Sequence, residues 1–212
     1  MPIHLLWGDD YSAREVEIKC LIDKIIDPAW ISINLSRLDG SDNLQAAQAL
    51  EEARTPPFGS GGRIILVKKS PFCNTCSKEL AKSFEIGIEL IPNNTHLILT
   101  NDIKPDGRLK TTKALQKIIK SNQAIEKGFC LPAIWDIEAQ KKLIEKIANQ
   151  LELSLEREAS IMLVEALGND SLRIRSELEK LALLADNNSA SGKERTVISK
   201  SSISHTSKHL DD

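Results

Sequence analysis

Arg63-Ile64-Ile65-Leu66-Val67, followed by Lys68-Lys69, is a run of four aliphatic residues bounded on both sides by charge. A run this short and this apolar describes a strand buried on both faces, and such strands belong to parallel sheets covered by helices on each side. Two more runs have the same character, Ile3-His4-Leu5-Leu6-Trp7 and His96-Leu97-Ile98-Leu99-Thr100. Trp30 to Leu35 and Ala124 to Phe129 read as two further strands, which makes five. Between them the apolar period becomes helical. Ser12 to Ile26 carries Val16, Ile18, Leu21, Ile22, Ile25 and Ile26, and Asp42 to Ala53 carries Leu44, Ala47 and Leu50 on one face with Asp42 or Ser41 as N-cap. Ser77 to Leu90 and the basic stretch Gly107 to Lys120 complete the alternation. Strands alternating with helices at this spacing predict βαβ units and an α/β domain built on a five-stranded parallel sheet with flanking helices.

After Pro132 the pattern is helical: Asp136 to Gln150, Leu155 to Leu167 and Ser171 to Leu184. Only Glu152-Leu153-Ser154-Leu155 interrupts it with a strand-like alternation. The expected organisation is an α/β domain over 1–134, a small three-helix domain over 135–185, and a polar linker with a short last helix over 186–212. The chain has 212 residues, 41% hydrophobic and 27% charged, ordinary values for a globular protein. Aromatics are only 4%, so the core must be aliphatic. A net charge of −2 gives no global attraction for nucleic acid, although Lys104, Arg108, Lys110, Lys113, Lys117 and Lys120 form a local basic face. No apolar stretch is long enough to span a bilayer, and the N-terminus lacks the features of a secretion signal, which points to the cytoplasm.

The strand-turn-helix at the N-terminus is where a nucleotide-binding α/β domain places its phosphate loop. Such a loop needs glycines, so that the backbone can approach phosphate, and a lysine to neutralise it. Here Gly8 is followed by Asp9 and Asp10, with no second glycine and no Lys-Ser/Thr pair. Lys68 and Lys69 stand where a magnesium-binding acid would end the third strand. The expectation is a domain that does not hydrolyse ATP and holds no cofactor. Cys73-Asn74-Thr75-Cys76 has metal-ligand spacing, but Cys20 and Cys130 are isolated. Zinc asks for four protein ligands, or three and a water, so no metal is expected. His4 and His96 lie in strands and read as packed, hydrogen-bonded residues, and no Ser, His and Asp set suggests a nucleophile.

With catalysis set aside, a binding surface must carry function, and Thr55-Pro56-Pro57-Phe58-Gly59-Ser60-Gly61-Gly62-Arg63 is its candidate. A large aromatic stands there between two prolines and a run of small residues. Phe58 either presents its ring outward to a partner or folds back and plugs the end of the local core.

Three segments together resemble the delta subunit of the bacterial DNA polymerase III clamp loader: Leu5-Leu6-Trp7-Gly8-Asp9-Asp10-Tyr11; Ala53-Arg54-Thr55-Pro56-Pro57-Phe58 with Arg63 to Val67; and Leu167-Gly168-Asn169-Asp170 with Glu177-Leu178-Glu179-Lys180-Leu181. The last is the most specific, and together they cover about residues 3 to 184. The resemblance implies a degenerate AAA+-like domain followed by a helical lid domain, with no catalysis of its own and ATP bound by sister subunits. It implies the beta sliding clamp as the partner that is bound and opened during DNA replication. The delta prime and tau/gamma subunits, and primed DNA within the complex, are further implied partners. The family's clamp-binding apolar pair matches Pro57 and Phe58, with leucine often standing where this chain has Pro57. Thr100-Asn101 lies where nucleotide-binding relatives keep a polar sensor, here read as a relic. The family's third, collar domain has no counterpart before Asp212, and without it assembly with the other subunits is expected to weaken. The competing expectations are an AAA+ ATPase with an unusual phosphate loop, and a DNA-binding AAA+ relative in replication or repair that uses the Lys104–Lys120 helix.

Overall fold

The computed structural model describes residues 2–186 and 196–198. The chain divides into two compact units, 1–130 and 131–212. In the first, strands β1 (Ile3–Trp7), β2 (Leu35–Asp39), β3 (Arg63–Lys68), β4 (Thr95–Asn101) and β5 (Ala124–Gly128) form one sheet in the order β2-β3-β4-β1-β5. Every pairing is parallel. The sheet is therefore the five-stranded parallel one that the aliphatic runs predict.

Ile64 to Val67 are all sealed from solvent, and alternate residues feed two different cores. Ile65 and Val67, with Ile3, Leu5, Leu97 and Leu99, pack on one face against α3 (Asn43–Ala53), α4 (Lys78–Gly87) and α5 (Lys110–Lys120). Ile64, Leu66, Leu6 and Ile98 pack on the other face under Ile18, Ile22 and Ile26, from α1 (Tyr11–Ile25) and its end. Period-2 alternation with both faces apolar produces this doubly covered sheet.

Two local expectations fail. Trp30 to Leu35 is not a strand. Pro28–Trp30 is a 3-10 turn, Ile31–Asn34 is the short helix α2, and the strand begins at Leu35. Asp27 caps the turn by accepting from the Ala29 N–H at 2.9 Å, with Pro28 at the first helical position, where its missing N–H costs nothing. The second failure concerns α3. Its buried face is Ala46, Ala49, Leu50 and Ala53, while Ala47 is exposed and Leu44 is 81% exposed. Alanines bring this helix close to the sheet, and a stripe rotated by one or two residues from the expected one does the packing.

The second unit holds α6 (Ile137–Gln150), α7 (Arg157–Leu167) and α8 (Ser171–Asp186). They close around Ile144, Ile147, Leu163, Val164, Ile174, Leu178 and Leu181. Strands β6 (Leu153–Leu155) and β7 (Thr196–Ile198) form a two-stranded parallel pair beside them. Within the segment 186–212, expected to be a linker and a last helix, the described residues 196–198 are a strand instead. The remainder, 187–195 and 199–212, lies outside the described residues. The Gly168-Asn169-Asp170 turn joins α7 to α8. Gly168 ends α7 at φ 61°, the Asn169 side chain donates to the Pro132 carbonyl at 2.8 Å, and Asp170 accepts from the Arg173 N–H at 3.0 Å.

Candidate functional site

Ligands of open parallel sheets bind beyond the carboxyl ends of the strands. At that edge β1 runs into Gly8, whose φ of +125° suits only glycine and whose added Cβ would lie 2.0 Å from the Phe129 carbonyl oxygen. The amides that would cradle a phosphate are already committed. The Gly8 N–H donates to the Asn101 carbonyl at 3.0 Å, the Asp10 N–H to the Phe129 carbonyl at 2.9 Å, and the Tyr11 N–H to the Asp9 carbonyl at 3.0 Å. Asp10 caps α1, accepting from the Ala13 N–H at 3.0 Å.

Arg14, only 5% exposed, reaches back from the first turn of α1. Its guanidinium donates to the Gly8 carbonyl at 2.9 Å, to the Asn101 carbonyl at 2.6 Å and to Asp102 Oδ1 at 2.7 Å. This buried cation ties the ends of β1 and β4 together, and no sequence signal marks it apart from its neighbours on the helix. The side chain of Asn101 donates to the Ser70 carbonyl at 2.7 Å, so this strand-end residue is a joint of the fold. At the end of β3, Lys68 donates to Glu15 at 3.0 Å and to the Tyr11 hydroxyl at 3.4 Å. The Glu15 bond holds the Lys68 pKa above the ordinary lysine value.

The Phe58 segment lies at the opposite edge, where Leu35 opens β2 and pairs with Ile64 near the start of β3. Its main chain is tied inward at several points. Asn34, fully buried, donates to the Phe58 carbonyl at 2.8 Å and accepts from the Phe58 N–H at 2.8 Å. Ser60 bonds to Asp27, whose carboxyl this contact, with the Ala29 N–H, holds below the usual carboxylate range. Gly61 pairs with Ile26 in an isolated antiparallel bridge, and the Gly62 N–H donates to the Ile25 carbonyl at 2.7 Å.

The side chain does the opposite. Phe58 is 57% exposed, and its ring packs edge-to-face with Trp30, centroids 4.9 Å apart and planes at 71°. Pro57 beside it is half-buried. Ile31 and Ile33 are exposed to 43% and 49%. Trp30 and Asn34 belong to this site and were hidden by the strand-like reading of residues 30–35.

The other candidates stay apart from both edges. Cys73 is buried, and burial pushes its thiol up to about 12, while Cys76 is half-buried; neither forms a disulfide. No group of three or more metal-ligating side chains gathers among the described residues. His4 and His96 face each other across adjacent strands, Nε2 to Nδ1 at 3.1 Å. Helix α5 buries Thr111, Thr112, Leu115 and Ile118 and leaves Lys110, Lys113, Lys117 and Lys120 exposed. No helix among the described residues is long and apolar enough to cross a membrane.

The sequence model of the family described as "DNA polymerase III, delta subunit" matches residues 4–126, more than half of the chain. No curated protein matches. Among solved structures, the chain is similar over 100% of its length to the Bacillus subtilis DNA clamp loader delta protein YqeN, at 22% identity and a TM-score of 0.74. It spans 58% of that protein's length. A DNA polymerase III gamma subunit-related protein from Thermotoga maritima is similar over 88% of this chain and 57% of its own, at 18% identity and a TM-score of 0.44. The Thermotoga maritima RuvB Holliday junction branch migration motor covers 100% of this chain with 62% of its own length, at 12% identity and a TM-score of 0.47. The likeness in fold rests on the first of these.

Proposed function

Because the chain belongs to the DNA polymerase III delta subunit family, we propose that it is a non-catalytic clamp-loader subunit that grips the beta sliding clamp through Phe58, with Pro57 beside it, and opens the ring for loading onto primed DNA. One observation carries this reading to particular atoms. Phe58 is a large apolar side chain exposed on a loop whose backbone is fixed. An aromatic anchor held out on a rigid support, ready to fill a partner's pocket, is the usual form of a binding hot spot.

The opposite edge supports the non-catalytic half of the proposal. The amides of Gly8, Asp10 and Tyr11 are spent inside the protein, and Arg14 occupies the junction between β1 and β4. ATP chemistry then belongs to sister subunits, the delta prime and tau/gamma partners, and this chain contributes a mechanical surface.

The test is the Phe58→Ala variant. Phe58 is more than half exposed, so the variant folds as the parent does. Its affinity for the cognate clamp, measured by surface plasmon resonance, falls by at least ~2 kcal/mol, about thirtyfold. Undiminished clamp binding would sink the proposal.

A further inference from the structure

Asn34 spends both halves of its carboxamide on a single residue 24 positions away. The flat amide pairs with the Phe58 peptide as a neighbouring strand would, donor to carbonyl and acceptor to N–H, each at 2.8 Å. It does so while fully buried, where a polar group is costly unless its bonds are made. The turn from α2 into β2 does not call for it, because the Leu35 N–H already closes that helix on the Ile31 carbonyl. What only asparagine supplies here is a fixed orientation for the Phe58 peptide.

The surroundings complete the support. Trp30 backs the ring from one edge. Gly59 comes next in the loop at φ +68°, with its missing Cβ position 2.5 Å from the Trp30 indole, so the loop lies directly against that side chain. Ser60 on Asp27 and Gly62 on Ile25 pin the rest of the loop.

On the reading that Phe58 contacts the clamp, we infer that Asn34 is the positioning residue of that contact. It holds the Phe58 peptide in its binding geometry before the partner arrives, so association does not have to order the loop. A loop that is competent only part of the time lowers apparent affinity by the fraction it spends in the right place. Since Asn34 acts on the main chain, its effect reaches the clamp chiefly through the side chain at position 58, with Pro57 the lesser route.

The experiment is a double-mutant cycle on the full chain against its cognate sliding clamp, with Phe58 amide exchange followed by NMR. Asn34→Ala weakens clamp binding about tenfold and removes the exchange protection of the Phe58 amide. In a Phe58→Ala background the same change costs less than about twofold, because the positioned ring is gone. Equal losses in both backgrounds overturn the inference, as does unchanged affinity once the Phe58 amide is deprotected. Should Asn34→Ala fail to fold, Asn34→Leu takes its place. It fills the buried position without either hydrogen bond to Phe58 and must show the same coupling; an additive loss overturns the inference. The two readings fail separately. A Phe58→Ala variant that binds normally removes the clamp contact itself, whereas a normal Phe58 effect with a flat Asn34 effect removes only the positioning role.

Discussion

Replacing Arg14 with methionine keeps most of the apolar stem and deletes the guanidinium that joins β1 to β4. Two bonds to backbone carbonyls go with it, Gly8 at 2.9 Å and Asn101 at 2.6 Å. Hydrogen bonds from a charged donor contribute about 1.5 to 3 kcal/mol each. The Asn101 carbonyl keeps the Gly8 N–H at 3.0 Å, so its loss falls at the low end. The Asp102 side chain is 69% exposed, and an ion pair of that kind adds under ~1 kcal/mol. Against these losses stands the cost of burying the cation in the parent, where Nε has no partner among the described residues. The balance is a destabilisation of about 3 kcal/mol. Urea unfolding followed by tryptophan fluorescence reads it, since Trp7 and Trp30 report on the first unit while Trp135 in the second is already 85% exposed. With a slope of about 2 kcal/mol per molar, the midpoint drops by about 1.5 M. Asp102→Asn, which removes only the exposed partner, moves it by less than about 0.5 M. An Arg14→Met midpoint within about 0.5 M of the parent refutes the claim that this cation holds the two strand ends together.

Two further outcomes rest on buried groups. Burial, and then the neighbouring His96, push the His4 pKa from 6.5 down to about 4. The unfolded chain therefore takes the proton first, and the His4 contribution is whole above pH 6.5 and is lost as pH falls towards 4. A shift of this size amounts to about 3 kcal/mol. Unfolding midpoints measured across that window fall more steeply for the parent than for His4→Gln; parallel curves count against the pairing. Among the cysteines, exposed Cys20 and Cys130 titrate promptly with a thiol reagent and Cys76 lags. Cys73, buried and held at about 12, reacts only on unfolding, and prompt labelling of all four thiols in the native protein contradicts that burial.

The middle of the sheet was legible because β1, β3 and β4, unlike the mostly half-buried or exposed edge strands β2 and β5, are buried on both faces, so runs such as Ile64 to Val67 announce themselves without any partner. Segments that depend on distant residues did not. Trp30 to Leu35 alternates apolar and polar residues at Ile31, Ser32, Ile33, Asn34 and Leu35, the period of a strand. Its helical turn is set by Asp27 and Pro28, and its asparagine is committed to a peptide 24 residues on. Helix α3 misled in a different way. Leu44 carries more hydrophobicity than any alanine near it, yet close approach to the sheet rewards the smaller side chains. Arg14 had no signal at all, because a buried arginine and a solvated one look alike in a helix pattern until the carbonyls they meet are known.

The strand-like reading of residues 30–35 and the ambiguity over Phe58 are one problem. Taken alone, the loop from Thr55 to Arg63 left two choices, a ring turned outward or a plug for the core. Without Asn34 and Trp30 nothing could separate them. In the folded chain the two roles fall on different parts of the same residue. The Phe58 peptide is the inward element, closed off by a fully buried carboxamide, and the ring is the outward one, on a residue more than half exposed and packed edge-to-face with an indole. Inward anchoring makes outward exposure useful, because an aromatic on a slack loop would tend to collapse onto the protein's own apolar surface. A sequence search for surfaces of this kind would therefore look for two partners rather than one. It would seek a Pro-bounded aromatic before a buried strand, and an asparagine at the mouth of the neighbouring strand, whose amide has no local reason to be there.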